Sequence, residues 1–279
     1  MEIRRNLIAS TRTLALPLAQ AVEKLYEIGF TRIDVNYANL ERSGVDDPSV
    51  LTHFRGALLT AAKIGAEPVT LHAPWEDYFL LPLGRGIDHA VAEAKLLVEM
   101  AYSYGVEVVV FHPFSAKHVG SHRVEWLNKR FFALLAEYSE REGLSVVAVE
   151  NAARGQPWRS LEKLVELVKR ISSPMLQVCF DTGHGNLNGY SFDRATEILK
   201  GASIACMHVH DNNGVSDDHS MPGTGTIDWS HAHYLPKEAL RRIVVEIDCK
   251  AGHHICGLHI AAAFAATQQL LLGQAEKKL

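Results

Sequence analysis

Eight short apolar runs recur along this chain, each separated from the next by a longer stretch with helical spacing. The runs are NLIAS (6–10), RIDVNY (32–37), PVTLHAP (68–74), VEVVVFHP (106–113), LSVVAVEN (144–151), LQVCFDT (176–182), IACMHVH (204–210) and RIVVEI (242–247). Most are apolar enough to be buried on both faces, the mark of parallel strands covered by helices. Between them lie stretches such as LAQAVEKLYEIG, in which Leu18, Ala21, Val22 and Leu25 share one helical face, and DHAVAEAKLLVEMAYSYG. Gly29, Gly65, Gly105 and Gly143 each follow a helical stretch and precede a strand, where helix-ending glycines sit.

Strand and helix alternating eight times over 279 residues predict an α/β protein, a (β/α)8 barrel, with residues 1–279 as one domain. A hydrophobic fraction of 47% is enough to fill it. The alternative is an open doubly wound sheet, which normally places a glycine-rich phosphate loop after an early strand. None stands there. GTGTID (223–228) has two glycines, but it follows the seventh strand and reads as an ordinary turn.

Charge narrows the partners. Asp and Glu number 32 against 28 Lys and Arg, a net charge of −4, which gives no global attraction to nucleic acid or anionic membranes. Arg12 and Pro17 interrupt the amino-terminal apolar stretch, so it reads as strand and helix and not as a signal peptide. GLHIAAAFAATQQLLLG (257–273) contains His, Thr and two Gln, and suits a packed terminal helix better than a membrane span. The expected location is the cytoplasm. The cysteines, Cys179, Cys206, Cys249 and Cys256, show no CxxC spacing. With Cys179 and Cys206 inside apolar strands, buried thiols are expected in preference to a disulfide or a zinc knuckle.

Histidine is abundant, with 15 residues, and several fall where strands end. His72 ends the third strand, His112 the fourth, Glu150 the fifth and Asp181 the sixth, with His184 in the turn beyond. His208 lies near the end of the seventh and Glu246 near the end of the eighth. All are at carboxyl ends, the face on which barrel enzymes build their sites. Any one alone is as well read as a loop contact or a helix cap. Together, Glu150, Asp181 and Glu246 would converge on one mouth. Two like charges about 4 Å apart repel by roughly 4 kcal/mol at a protein-like dielectric. Such a set calls for a cation or raised pKa values, and the imidazoles among them favour Zn, Mn, Fe or Co. Beyond the seventh strand, Asp217 and His219 alternate, so an extended backbone would point both to one side, in reach of a second or third ion. His210 shares the face of His208 but ranks below it.

At these residues the chain resembles the xylose isomerase-like TIM barrel superfamily of sugar and sugar-phosphate isomerases and epimerases, inosose dehydratases and endonuclease IV enzymes. The resemblance covers almost the whole chain through LHAPW, FHP, VEN, FDTGH, MHVHDN, DDHSMPGTGTIDW and VVEI. It implies one metal on Glu150, Asp181, His208 and Glu246, as in the epimerase-like members. It also matches the endonuclease three-zinc set, which adds His72, His112, His184, Asp217 and His219. The first strand region, LIASTRTLALPLAQ, lacks the GAHVS-like opening of endonuclease IV and looks like the sugar branch. The loops APWEDYFLLPLGRG and KHVGSHR carry no dense basic run of the kind a DNA clamp needs.

The expected activity is therefore that of a sugar or sugar-phosphate isomerase or epimerase acting through a metal-stabilised ene-diolate. The resemblance makes Glu150 and Glu246 its acid/base pair. His184 would hold a substrate oxygen or a second metal, and Trp75 and Phe114 would wall the pocket. The alternatives are an endonuclease IV-like zinc phosphodiesterase and a barrel that binds metal without catalysis. One divalent ion is expected, with room for three. A small sugar is the expected partner, nucleic acid is disfavoured, and no membrane is expected.

Overall fold

A computed structural model describes residues 3–45, 49–75, 86–115, 121–156, 158–249 and 253–272. Its strands are β1 (Leu7–Ser10), β2 (Arg32–Asn36), β3 (Glu67–His72), β4 (Val108–Phe111), β5 (Val146–Glu150), β6 (Leu176–Asp181), β7 (Ile204–Val209) and β8 (Ile243–Val245). Each pairs in parallel with its sequence neighbours, and β8 returns to β1, closing the barrel. The helices α1 (Leu18–Glu27), α2 (Ala38–Arg42), α3 (Val50–Ile64), α4 (Ile87–Ser103) and α5 (Ser121–Glu142) fall between the first five strands. They are followed by α6 (Leu161–Ile171), α7 (Thr182–Leu187), α8 (Phe192–Leu199) and α9 (His253–Leu272).

The sequence pattern causes this arrangement. In α1 the apolar stripe Leu18, Ala21, Val22 and Leu25 is the buried face. Gly65 ends α3 in the left-handed region at φ 83°, a conformation that costs a residue with a Cβ more than it costs glycine. Gly29, Gly105 and Gly143 also have positive φ. The strands divide their side chains by parity. Val109, Val147, Val149, Val178, Met207 and Val245 join the large core cluster that includes the helix faces. Their alternates fill the barrel: Ile8, Val69 and Val244 form one small cluster, and Val108, Val110, Ala148, Cys179 and Cys206 belong to another.

Two residues further along five of these strands, on that same inward face, the chain turns polar. Val110 is followed by His112, Ala148 by Glu150, Cys179 by Asp181, Cys206 by His208 and Val244 by Glu246. The apolar layer is thus a floor under the polar one.

Two expectations need correction. Cys179 and Cys206 are buried free thiols, but Cys249 and Cys256 form a disulfide. Their Cα atoms lie 5.7 Å apart, within bridging range despite the uninformative spacing. Phe114 does not wall a pocket. It is buried in the main core against Phe131, ring centroids 4.8 Å apart. Among the described residues no helix is long and apolar enough to cross a membrane. Most of the loop after Trp75, and residues 117–120 of KHVGSHR, lie outside the described residues.

Candidate metal centre

Glu150 is the hub. Its Oε2 lies 3.2 Å from His72 Nε2, 3.4 Å from His112 Nε2 and 3.1 Å from His208 Nδ1, while Oε1 lies 3.1 Å from His184 Nδ1. Burial opposes its ionisation, but the imidazoles of His208, His112 and His184 outweigh burial and hold its carboxyl well below the usual range. His208 shows the converse: burial disfavours its charge, yet Glu246 and Glu150 raise it well above the usual imidazole value. Glu246 Oε2 lies 3.7 Å from His208 Nδ1. Burial raises Glu246 too, and His208 and His72 bring it below the normal carboxylate range.

Asp181 does two jobs. One oxygen accepts the backbone N–H of His184 at 2.7 Å and so caps α7, which is the ordinary role of a strand-end aspartate. The other lies 3.1 Å from His210 Nε2. Against the cost of burial, His184 and His210 pull the Asp181 carboxyl down to about 2. His184 in turn reaches Asp217 Oδ2 at 3.2 Å, and His219 Nε2 reaches the same oxygen at 3.3 Å.

All nine residues singled out from the sequence therefore come together at one end of the barrel. Eight of them, with His210, fall into groups whose ligand atoms lie within 4.8 Å of one another, and His112 belongs to none of these: His72, Glu150 and His208; Asp181, His208 and Glu246; Asp181, His184 and His210; His210, Asp217 and His219; a fifth group joins His208 to Cys179 and Cys206. Asp217 and His219 meet, but not along an extended backbone: His219 has φ 43°, in the left-handed region.

His210 matters more than its sequence rank. It is fully buried, bonded to Asp181, and stacked on His219 with centroids 3.8 Å apart and planes inclined by 14°. Its spacing of two from His208 was the available signal. Gly183 makes room for its ring, since a Cβ there would lie 1.9 Å from His210 Cε1. Four further residues were not read from the sequence. Asn151 clamps β6, donating to Asp181 O at 3.0 Å and accepting the Asp181 N–H at 2.7 Å. Asp211 gathers the N–H groups of Gly223, Ile227 and the Trp229 indole at 3.0, 3.2 and 3.0 Å. It thereby ties PGTGTIDW down beside the loop bearing Asp217 and His219. Asp34 and Asn36, on β2, are fully buried in the barrel.

The donor set suits a divalent ion. Among the described residues neither ring nitrogen of His208 has a hydrogen-bond partner, although both are buried. An unpaired buried polar atom costs free energy unless something coordinates it. His72, His184 and His219 place Nδ1 at 2.9, 2.8 and 2.9 Å from the carbonyls of Ala73, Asn151 and Glu246. A backbone carbonyl accepting from Nδ1–H fixes the tautomer and leaves Nε2 as a lone-pair donor, the usual support of a metal-binding histidine. Trp75 sits over the rim, its ring 4.9 Å from His72, 5.0 Å from His112 and 5.5 Å from Tyr37.

Barrel and mouth together define a class. The family model for the xylose isomerase-like TIM barrel matches residues 22–268, and the chain belongs to that family. By sequence it is similar to an uncharacterized protein of Methanocaldococcus jannaschii, 32% identical over 189 residues, 65% of this chain and 64% of that one. It is also similar to a probable endonuclease 4 of Lachnoclostridium phytofermentans, 28% identical over 191 residues, 61% of each chain. The match thus spans less than two thirds of these relatives' length. Among solved structures, a D-tagatose 3-epimerase-like protein has a TM-score of 0.76 at 22% identity, covering 98% of this chain and 100% of that one. The IolI protein with a zinc atom bound gives 0.74 at 20% identity, covering 95% and 98%. At such identities the two structures speak for the fold.

Proposed function

We propose that this chain is a divalent-metal-dependent enzyme that isomerises or epimerises a sugar or sugar phosphate. The observation that carries the reading is the pair of buried carboxylates Glu150 and Glu246, which approach one imidazole, His208, from separate strands at 3.1 and 3.7 Å. Both are held in the basic form below the usual carboxylate range. Glu150, Asp181, His208 and Glu246 would hold the ion, which when bound supplies electrophilic polarisation of a substrate carbonyl. One glutamate takes the proton from the carbon beside that carbonyl, and the other returns it. His184, fixed by the Asn151 carbonyl, orients a substrate oxygen. Trp75 walls the side of the site next to His72 and His112.

Similarity to an epimerase-like structure and to a zinc-bound barrel supports this reading. The test is solvent-deuterium incorporation into ketoses and their phosphates. Glu150→Gln and Glu246→Gln keep size and one ligand oxygen but remove the base. In ion-replete protein each should slow exchange about 100-fold or more. Exchange at the parent rate in both ion-replete variants would refute the assignment.

A second reading, phosphoester hydrolysis by several ions, is favoured by one observation: donors continue past Asp181 to Asp217 and His219, beyond what one ion needs. The relative named endonuclease 4 supports it. Ion count separates the two. A single ion fits isomerisation, whereas three ions with incision of abasic duplex, lost on replacing Asp217 and His219 by Ala, would favour hydrolysis.

A further inference from the structure

Beneath Glu246 lies a buried carboxylate with no part in the proposed chemistry. Asp34 is 0% exposed and sits on the inward face of β2. Its Oδ2 accepts the Ser10 hydroxyl at 2.7 Å and its Oδ1 accepts the Thr70 hydroxyl at 2.8 Å. The Asn36 amide, two residues on and equally buried, donates to Asp34 Oδ2 at 3.1 Å and to Glu246 Oε1 at 2.9 Å. Its own oxygen accepts the Ala38 N–H at 3.0 Å.

These bonds determine the orientation of the amide. A flipped Asn36 would aim its oxygen at two carboxylate oxygens and its NH2 at a backbone N–H, breaking every one of its bonds. With the amide fixed, Glu246 Oε1 is held by Asn36 while Oε2 lies 3.7 Å from His208 Nδ1. We infer that Asp34 and Asn36 are positioning residues that fix Glu246 in a single-oxygen presentation toward the centre. The assignment deepens the proposed function and rests on Glu246 being a ligand there. Ser10 and Thr70 anchor the base of the relay from β1 and β3, so three strands cooperate in aiming a residue that follows a fourth.

The relay needs an acceptor at the Asp34 Oδ2 position; a full negative charge is dispensable. An asparagine there can place its oxygen at that point and turn its NH2 to the Thr70 hydroxyl, which can accept. Leucine cannot. Asp34→Leu and Asn36→Ser should therefore weaken binding of a probe ion, Mn²⁺ or Co²⁺, about 10- to 100-fold, the usual loss when a ligand's outer partner is removed. They should also alter the visible absorption of the Co²⁺ protein. Asp34→Asn should recover most of the affinity and the parent spectrum.

Affinity is read by chelator competition, with a thermal melt on each variant. If Asp34→Leu does not fold, Asn36→Ser removes the bridging amide, leaves Asp34 with its two hydroxyl donors, and carries the same expectation. A folded Asn36→Ser variant with parent affinity and parent Co²⁺ spectrum overturns the assignment while leaving the ion site standing. Failure of Asp34→Asn to recover affinity also overturns it, because charge and not aim would then be at work. A parent protein that takes up neither ion, or a Glu246→Ala variant that binds as tightly as the parent, overturns the reading beneath it.

Discussion

The packing of His210 against Gly183 can be tested by adding one methyl group. Gly183 lies inside α7, so Gly183→Ala gains about 1 kcal/mol of helix propensity. Against this, the new Cβ would lie 1.9 Å from His210 Cε1, 2.4 Å from Nδ1 and 2.6 Å from Nε2. The ring cannot yield easily, because it is fully buried, held by Asp181 at 3.1 Å and backed by His219 at 3.8 Å. Displacing it overpacks the site, at about 1–3 kcal/mol. It also breaks a charge-assisted hydrogen bond, worth about 1.5–3 kcal/mol. The clash wins, by about 1.5–5 kcal/mol net, which lowers Tm by on the order of 10 °C for a chain of this size. Gly185→Ala is the matched control. It lies in the same helix, and its Cβ would meet only the Phe180 ring at 3.4 Å, so its effect should stay within about 1 kcal/mol. Circular-dichroism melts of metal-free parent and both variants read the difference. A Gly183→Ala protein that melts with or above the parent would refute the close packing of His210.

Asp211→Ala should cost about 3–5 kcal/mol, since it strands the N–H groups of Gly223, Ile227 and Trp229; thermal melts and Trp229 fluorescence check it, and an unchanged melt would show the loop is held otherwise. The metal-free protein should lose stability in acid. Asp181 titrates at about 2 when folded, below its ordinary 3.8, so its contribution is present above pH 4 and is lost as pH falls through the folded value; urea melts between pH 5 and 2 should show the decline. His208, a ligand in the proposed set, titrates well above its ordinary value because Glu246 and Glu150 outweigh burial, so its extra proton must leave when an ion binds. Calorimetry in buffers of different ionisation enthalpy should report proton release on ion binding, and buffer-independent heats would contradict it.

Most of the strands were legible because a strand buried on both faces leaves a short continuous apolar run, and the regular alternation with longer helical stretches sets these runs apart from helices. The site was legible for the same reason: His72, Glu150 and Asp181 interrupt such runs at their ends, where a polar residue has no reason to point inward unless it is used. Asp34 and Asn36 escaped notice because RIDVNY alternates polar with apolar, and that pattern is equally that of a strand facing water. Asp211 was hidden by its neighbours in HDNNG, a composition that reads as a turn. The Cys249–Cys256 bridge joins two residues seven apart, a spacing that by itself encodes no pairing. His219 met Asp217 by a left-handed turn, where alternation suggested an extended one.

The ligand groups overlap at their edges. His208 belongs to the first and second and also joins Cys179 and Cys206, Asp181 belongs to the second and third, and His210 to the third and fourth. Damage to this mouth is therefore graded by position in a chain of shared residues. Losing His72 or His219 removes one terminal link, whereas losing His208, Asp181 or His210 opens two neighbouring links at once. Pairs of substitutions at adjacent shared residues will cost less than their sum, because the second strikes a link already broken. A complete mutational map of this face would therefore trace one continuous object, steepest at its joints.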